Sequence, residues 1–246
     1  MAAGNAGDPM GLGAVVTGIV HGVGTGPGDP ELLTARAIRV IGEADAVFFI
    51  EADGKPSRAL STAQDHLRAG TDLCPIAMPM RTDPSAGAAA YDRAADEIAS
   101  RAGAGASVAV LCEGDPLLYG SFIHLLERLR ERHPVEIVPG IPSFLAGAAA
   151  LPRGLVQRTE RLSLLPATLD EESLTAALRV ADCAAILKTA GHLTKVRRAL
   201  AKAELTKAFV ITEASGTDET VTPLASVTGD ALPYFSIILA WREFPE

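Results

Sequence analysis

The chain of 246 residues carries 22 lysines and arginines against 30 acidic residues, which gives a formal net charge of −8. This balance excludes a general cationic field for binding nucleic acid or an anionic membrane surface. The hydrophobic fraction of 48% excludes a disordered chain, and no apolar run approaches the roughly 18 residues of a membrane span. The three cysteines lie too far apart for a zinc knuckle or a redox pair, so we expect a globular cytoplasmic protein.

Short strand-like runs alternate with longer helix-like segments in the first half of the chain. Residues 1–13 are predicted to form a disordered tail without the features of a signal peptide. A first α/β domain is predicted over residues 14–141, with Gly42 ending its first helix. Its predicted strands span 14–21, 46–50, 72–78, 107–112 and 135–138, and its predicted helices span 30–41, 56–68, 86–101 and 116–132.

The alternation restarts after the segment Pro139 to Pro142, so a second α/β domain is predicted over residues 142–246. Its predicted helices span 143–150, 171–180 and 192–205, and its predicted strands span 161–165, 184–187, 208–213 and 234–241. Strands separated by helices favour parallel pairing. The sequence therefore predicts two α/β domains with mostly parallel sheets.

Three turns rich in glycine and proline follow predicted strands: GVGTGPGDP at 22–30, CEGDPLLYGS at 112–121 and PGIPS at 139–143. Taken singly, each is most simply a helix start; in the first two, Asp29 or Asp115 would cap a helix that begins at the following proline. The carboxyl ends of parallel strands meet at one edge of a sheet, where ligands bind. Together the three turns therefore predict one shared site.

Common nucleotide, hydrolase and metal motifs do not match these turns. Pro27 stands where the dinucleotide fingerprint requires glycine, and the chain contains neither a P-loop nor a G-x-S-x-G elbow. The five histidines are isolated from one another in sequence, so we predict no metal site.

The turns at Gly22 to Pro30, Leu111 to Phe122 and Val138 to Ser143 resemble three signature segments of the tetrapyrrole methylase family. The segments 53–59, 164–168 and 233–236 favour the branch that acts on precorrin-2. The resemblance covers nearly the whole chain after the first 13 residues. It implies two α/β domains with S-adenosyl-L-methionine in the cleft between them, a homodimer, and methylation of precorrin-2 at carbon 20 to give precorrin-3A in cobalamin biosynthesis.

The resemblance also implies which residues contact the cofactor. They lie in the turns of the first domain and at strand ends of the second: Pro27, Gly114, Asp115, Leu118, Tyr119, Ser143, Phe144, Leu187, Lys188, Ala214, Pro233 and Tyr234. For Asp115, attraction of the cofactor's positive groups and simple helix capping explain the residue equally well.

The implied acceptor, precorrin-2, is a polycarboxylate, so an acidic chain must concentrate positive charge to bind it. Basic residues in turns and loops are the candidates, and arginine suits bidentate contacts with carboxylates: Lys55, Arg58, Arg81, Arg153, Arg158 and Arg161. Methylation at carbon 20 also requires the loss of a proton. Glu51, Glu113, Tyr119 and water are all possible proton acceptors, and the sequence assigns no catalytic residue.

Two other functions stay open on the sequence alone. One is another activity of the same family, in which the same cofactor methylates a different acceptor. That acceptor would be another corrin-ring position or, in a diphthine-type reaction, the modified histidine of an elongation factor. A function of a different class is a non-catalytic module that binds the cofactor without turnover.

Overall fold

The computed structural model describes residues 18–79 and 84–243, and the strands within them form two five-stranded sheets. The strands of the first sheet are β1 (Val20–Gly24), β2 (Ala46–Ala52), β3 (Asp72–Met78), β4 (Val108–Cys112) and β5 (Val135–Val138). They have the order β3-β2-β4-β1-β5, and every neighbouring pair is parallel. The predicted disordered tail, residues 1–13, lies outside the described residues.

Helices cover both faces of the first sheet, which is why β4 is buried along its whole length. On one face α1 (Ala35–Glu43) and α2 (Arg58–Ala63) pack over strand residues such as Val47 and Leu111. On the other face α3 (Pro84–Gly103) and α4 (Phe122–Leu129) pack over residues such as Phe48 and Val110. The near-continuous apolar strands of the sequence follow from this double coverage.

The strands of the second sheet are β6 (Leu162–Pro166), β7 (Cys183–Leu187), β8 (Lys207–Thr212), β9 (Thr220–Pro223) and β10 (Ser236–Trp241). They have the order β6-β7-β10-β8-β9 and run in both directions. The β6–β7 pair is parallel, whereas β10 pairs antiparallel with β7 and β8, and β9 pairs antiparallel with β8. Three helices pack on this sheet: α5 (Ser143–Ala150) on one face, and α6 (Glu171–Arg179) and α7 (Leu193–Lys202) on the other.

Helix α5 packs closely against the second sheet because its sequence, SFLAGAAA, consists mainly of small residues. A Cβ added at Gly147 would lie 2.9 Å from the Ile237 side chain, a distance that real Cβ atoms do not reach. By this packing α5 belongs with the second sheet. The division into 14–141 and 142–246 remains a prediction, with the two sheets lying on either side of it.

The predicted α/β fold with two sheets is confirmed, whereas several helix boundaries were wrong. The helix predicted from Pro30 is a single 3₁₀ turn there, and α1 begins only after Thr34, whose hydroxyl accepts a hydrogen bond from the Ala37 amide. Gly42 does not end α1, which continues to Glu43. The helix predicted from residue 116 begins at Phe122. None of the helices in the described part of the chain is long and apolar enough to cross a membrane.

Candidate functional site

The three predicted turns come together because β4, β1 and β5 are neighbours in the first sheet. Their carboxyl ends lie at one edge, and the turns that follow β1 and β4 join through two reciprocal backbone hydrogen bonds. The Gly26 amide donates to the Gly114 carbonyl at 3.3 Å, and the Gly114 amide donates to the Gly26 carbonyl at 2.8 Å. The expectation that these turns share one edge is therefore met.

The turns touch backbone to backbone, so glycine is required at the contacts. A Cβ on Gly24 would lie 2.5 Å from the Gly140 amide nitrogen, and a Cβ on Gly140 would collide with the Gly114 carbonyl oxygen. A side chain at either position would push the turns apart. The glycines that first suggested a site thus fix the distance between the three turns.

Two polar side chains hold these turns in place. The buried Thr25 hydroxyl donates to the Cys112 carbonyl at 3.1 Å. One carboxylate oxygen of Asp115 accepts from the Leu117 amide at 2.9 Å and the other from the Gly140 amide at 3.1 Å. Asp115 therefore braces the second turn against the third, and the helix-capping explanation was wrong because α4 starts seven residues later, at Phe122.

A first cavity of about 440 Å³ lies between these turns and the second sheet. Ten of the twelve residues predicted to contact the cofactor line it: Pro27, Gly114, Asp115, Leu118, Tyr119, Ser143, Leu187, Lys188, Ala214 and Tyr234. Phe144 packs instead against the core of the second sheet, and Pro233 is not part of the lining. Cofactor contact by the ten remains a prediction.

Other residues of the first cavity were not predicted from the sequence. They are Pro142, Thr168, Ala190, His192, Ile211, Phe235, Ser236 and Ile237. Pro142, Thr168, Phe235 and Ser236 lie in segments that carry the family resemblance, which is the signal that could have identified them. Ala190 and His192 lie between β7 and α7, Ile211 lies in β8 and Ile237 in β10, and nothing in their local sequence distinguishes them.

A second cavity of about 620 Å³ adjoins the first on the side of β2 and α2. Seven residues line both cavities, and we call them the junction: Arg58, Glu113, Leu118, Tyr119, Lys188, Tyr234 and Phe235. Two ligands, one in each cavity, would meet at these residues.

The predicted acceptor-binding residues do not all lie together. Lys55 and Arg58 line the second cavity, whereas Arg153, Arg158 and Arg161 line neither cavity. Arg161 is exposed and pairs with Asp182 at 3.5 Å. Asp182 immediately precedes β7, so this pair lies at the start of the strand, whereas the first cavity lies at its other end, at Leu187. Arg81 lies outside the described residues.

Arg58 links the two halves of the site. Its guanidinium, at the start of α2, forms an ion pair with Glu213, which follows β8. The same guanidinium lies over the Phe235 ring, 4.6 Å from the ring centroid. Both partners belong to the second half of the chain, so Arg58 holds that half against α2. A further link joins the Asp29 amide to the Ser215 hydroxyl at 3.1 Å.

Glu113 follows β4 and faces the cavities rather than the packed core. Glu113 keeps an exposed surface toward the cavities, but the surrounding walls displace part of the water around its carboxylate, and this desolvation raises the pKa of Glu113. The positive charge of Arg58 opposes the rise in pKa, and the negative charge of Glu213 adds to it. The junction thus contains a carboxyl group that holds its proton more tightly than a glutamate in water.

Three residues in or beside the junction adopt the left-handed backbone conformation that usually requires glycine. Tyr119 has a φ of 54°, Lys188 of 56° and Glu213 of 53°. Such conformations cost about 1–3 kcal/mol each and concentrate at functional sites. The Lys188 ammonium lies 5.2 Å from the centroid of the Tyr119 ring, so the two strained residues contact each other across the junction. Among the described residues, no group of His, Cys, Asp or Glu side chains could hold a metal ion.

Comparison with known proteins gives consistent matches. Residues 19–228 match the family described as Tetrapyrrole (Corrin/Porphyrin) Methylases. The chain is 36% identical to a precorrin-2 C(20)-methyltransferase from Sinorhizobium over 95% of this chain and 100% of that protein. It is 31% identical to a cobalt-precorrin-2 C(20)-methyltransferase from Salmonella typhimurium over 93% of this chain and 98% of that protein.

The fold is also similar to a crystal structure of uroporphyrin-III C-methyltransferase from Thermus thermophilus in complex with S-adenyl homocysteine. The TM-score is 0.66 and the identity 22%, with 91% of this chain and 97% of that chain covered.

Proposed function

Since the chain belongs to the tetrapyrrole methylase family, we propose that it transfers a methyl group from S-adenosyl-L-methionine to carbon 20 of precorrin-2, giving precorrin-3A in cobalamin biosynthesis. The observation that carries this proposal is the pair of cavities that meet at one junction. A methyl transfer needs two ligands side by side, and the junction provides the place where they meet.

The first cavity fits the cofactor in size and in the character of its walls. Its volume of about 440 Å³ lies within the range of small-molecule sites, roughly 300 to 1,000 Å³. A Cβ on Gly114 would make only van der Waals contacts, the nearest with Pro142 Cα at 3.9 Å, so the absence of a side chain leaves this space to a ligand. The lining includes apolar side chains such as Leu118 and Leu187 and polar groups such as Ser143. We propose that this cavity holds the cofactor.

When bound, S-adenosyl-L-methionine supplies an activated methyl group on a sulfonium sulfur, whose departure as a neutral thioether needs no acid. The chain therefore contributes mainly by positioning the two ligands. The rigid contacts among the three turns serve this purpose, because they fix one wall of the first cavity. The link from Arg58 to Glu213 and Phe235 fixes the opposite wall.

We propose that the second cavity holds the polycarboxylate acceptor. Lys55 and Arg58 line it, and Lys188 stands at the junction, so three cations face this space. Arg58 is partly neutralised by Glu213, which leaves Lys55 and Lys188 to supply most of the attraction for acceptor carboxylates. From the family resemblance we further propose two domains divided near residue 141, a homodimer and a cytoplasmic location.

The proposal is tested by incubating the purified protein with methyl-labelled cofactor and either precorrin-2 or cobalt-precorrin-2. We expect mass spectrometry to detect one added methyl group and NMR to place it at carbon 20. The acceptor that is methylated faster shows whether this chain prefers the metal-free acceptor, as in the name of the Sinorhizobium relative, or the cobalt-bearing one, as in the name of the Salmonella relative. A methyl group at another ring position would reassign the acceptor, and cofactor binding without turnover on any tetrapyrrole would refute the enzymatic function.

A further inference from the structure

The junction contains a carboxylate with a suitable position for proton transfer. Of the residues that the structure describes, Glu113 is the acidic residue that lines both cavities. Asp115 lines only the first cavity, and both of its oxygens accept backbone hydrogen bonds. Asp53 lines only the second cavity. If two ligands react where the cavities meet, Glu113 is the carboxylate beside the reacting atoms.

We propose that the Glu113 carboxylate accepts the proton that carbon 20 of the acceptor loses on methylation, an inference that rests on the proposed function. An electron pair of the ring forms the new carbon–methyl bond, and the pair of the broken sulfur–methyl bond stays on sulfur. Carbon 20 then carries both a methyl group and a hydrogen. A Glu113 oxygen takes that hydrogen as a proton, the C–H electron pair returns to the ring, and the proton passes on to solvent.

The structure argues against the other side chains that could accept this proton. Glu51 lies in β2 between Ile50 and Ala52, which both line the second cavity, so its side chain points to the opposite face of the strand. Tyr119 lies at the junction, but phenols as a class keep their proton at neutral pH and act as donors. His124 lines the second cavity away from the junction, and its ring packs on Tyr91 with centroids 4.8 Å apart.

The surroundings of Glu113 suit a proton acceptor. Arg58 lies near enough to stabilise the ionised carboxylate, but its ion pair with Glu213 prevents it from neutralising Glu113 fully. Desolvation raises the pKa of Glu113, which makes it a stronger base than a glutamate in water. The other titratable groups around it belong to β4, its own turn, the end of β7 and the segment before β10: Cys112, Asp115, Tyr119, Lys188 and Tyr234.

Cys112 does not compete as a base or nucleophile. Burial raises the pKa of its thiol to about 12, so the sulfur stays protonated at neutral pH. Cys112 lines the second cavity beside Glu113, so its exclusion leaves Glu113 as the proton acceptor at the end of β4.

The test compares Glu113→Gln with Glu51→Gln, because both substitutions remove one carboxylate and keep the side-chain shape. With an acceptor deuterated at carbon 20, we expect Glu113→Gln to lower kcat by about 10²- to 10⁴-fold and to enlarge the isotope effect on kcat. Glu51→Gln should match the wild type in both measurements. If Glu113→Gln shows the same kcat as the wild type and the same isotope effect on kcat, the inference is overturned.

A second readout does not depend on turnover. Calorimetry of the acceptor binding to the protein without cofactor should give the same Kd for Glu113→Gln as for the wild type, within about threefold. If the variant instead loses acceptor affinity by the factor by which it loses turnover, Glu113 binds the acceptor and is not the proton acceptor. If wild-type protein methylates no precorrin-2, the proposed function itself fails, which the wild-type arm reveals separately.

Discussion

Replacing Gly114 by alanine tests whether the first cavity holds the cofactor. Gly114 has a φ of 65°, and a Cβ there would lie 3.9 Å from Pro142 Cα and 4.0 Å from the Ile141 carbonyl oxygen. These are ordinary van der Waals contacts, so the protein can accommodate the methyl group. The left-handed backbone costs an L-residue about 1–2 kcal/mol, and we expect the free energy of unfolding to fall by about that amount. The greater effect should fall on the cofactor, because the added atoms occupy its space.

Calorimetric titration with S-adenosyl-L-methionine measures this effect. We expect Gly114→Ala to weaken binding by about tenfold or more, which corresponds to about 1.4 kcal/mol, and Gly114→Val to abolish it. Gly70 provides the matched control, since its φ is 86°, no atom lies within 4 Å of an added Cβ, and it lines neither cavity. Gly70→Ala should lose similar stability without losing affinity. If Gly114→Ala binds the cofactor as tightly as Gly70→Ala does, the placement of the cofactor is wrong.

Three further variants probe the junction and the second cavity. Lys55→Ala should raise the KM for the acceptor by about tenfold in steady-state kinetics without changing the Kd of the cofactor, and an unchanged KM would remove Lys55 from the acceptor site. Arg58→Lys keeps a charge beside Glu213 but loses the planar contact with Phe235, so denaturant titration should show a loss of about 1 kcal/mol; equal stability would contradict this role. Glu113→Gln should stabilise the protein at neutral pH, because the raised pKa of Glu113 means that its ionised form opposes folding. Thermal unfolding should show this advantage shrinking as the pH falls toward the ordinary glutamate value of 4.5 and vanishing below it, and an advantage that grows at low pH would contradict the sign.

Strands β2 to β5 could be predicted, most clearly β4 (Val108–Cys112), where burial on both faces leaves an apolar run. Strand β1 was predicted to end at His21 but continues to Gly24, three residues into the predicted turn. The helix start at residue 116 could not, because Asp115 followed by proline has the sequence of a good cap. The left-handed conformation of Tyr119 interrupts any helix before Phe122, and this conformation depends on tertiary contacts. Strand β9 escaped prediction since Thr220–Pro223 is a short edge strand with one apolar residue.

The site, too, could be predicted from the sequence only where local patterns determine it. Sequence could place each turn after a strand, but only the strand order β4-β1-β5 explains why those three turns meet. The basic residues show the limit of local patterns. Arg58 and Arg161 both lie in or beside loops, yet one reaches the junction and the other lies at the far edge of the second sheet with Asp182. A loop position in sequence does not reveal which edge of a sheet the loop occupies.

The site contains positions where only glycine fits and positions where a side chain is kept although its backbone conformation favours glycine. Where turns touch, as at Gly24 and Gly140, any side chain would separate them, so glycine is needed and contributes nothing to the cavity surface. Tyr119 and Lys188 adopt conformations that glycine would reach without strain, but both side chains line the two cavities. Retaining them costs about 1–3 kcal/mol each. Because burial elsewhere in the sheets must offset that cost, these side chains are better explained by contact with ligands than by any contribution to folding.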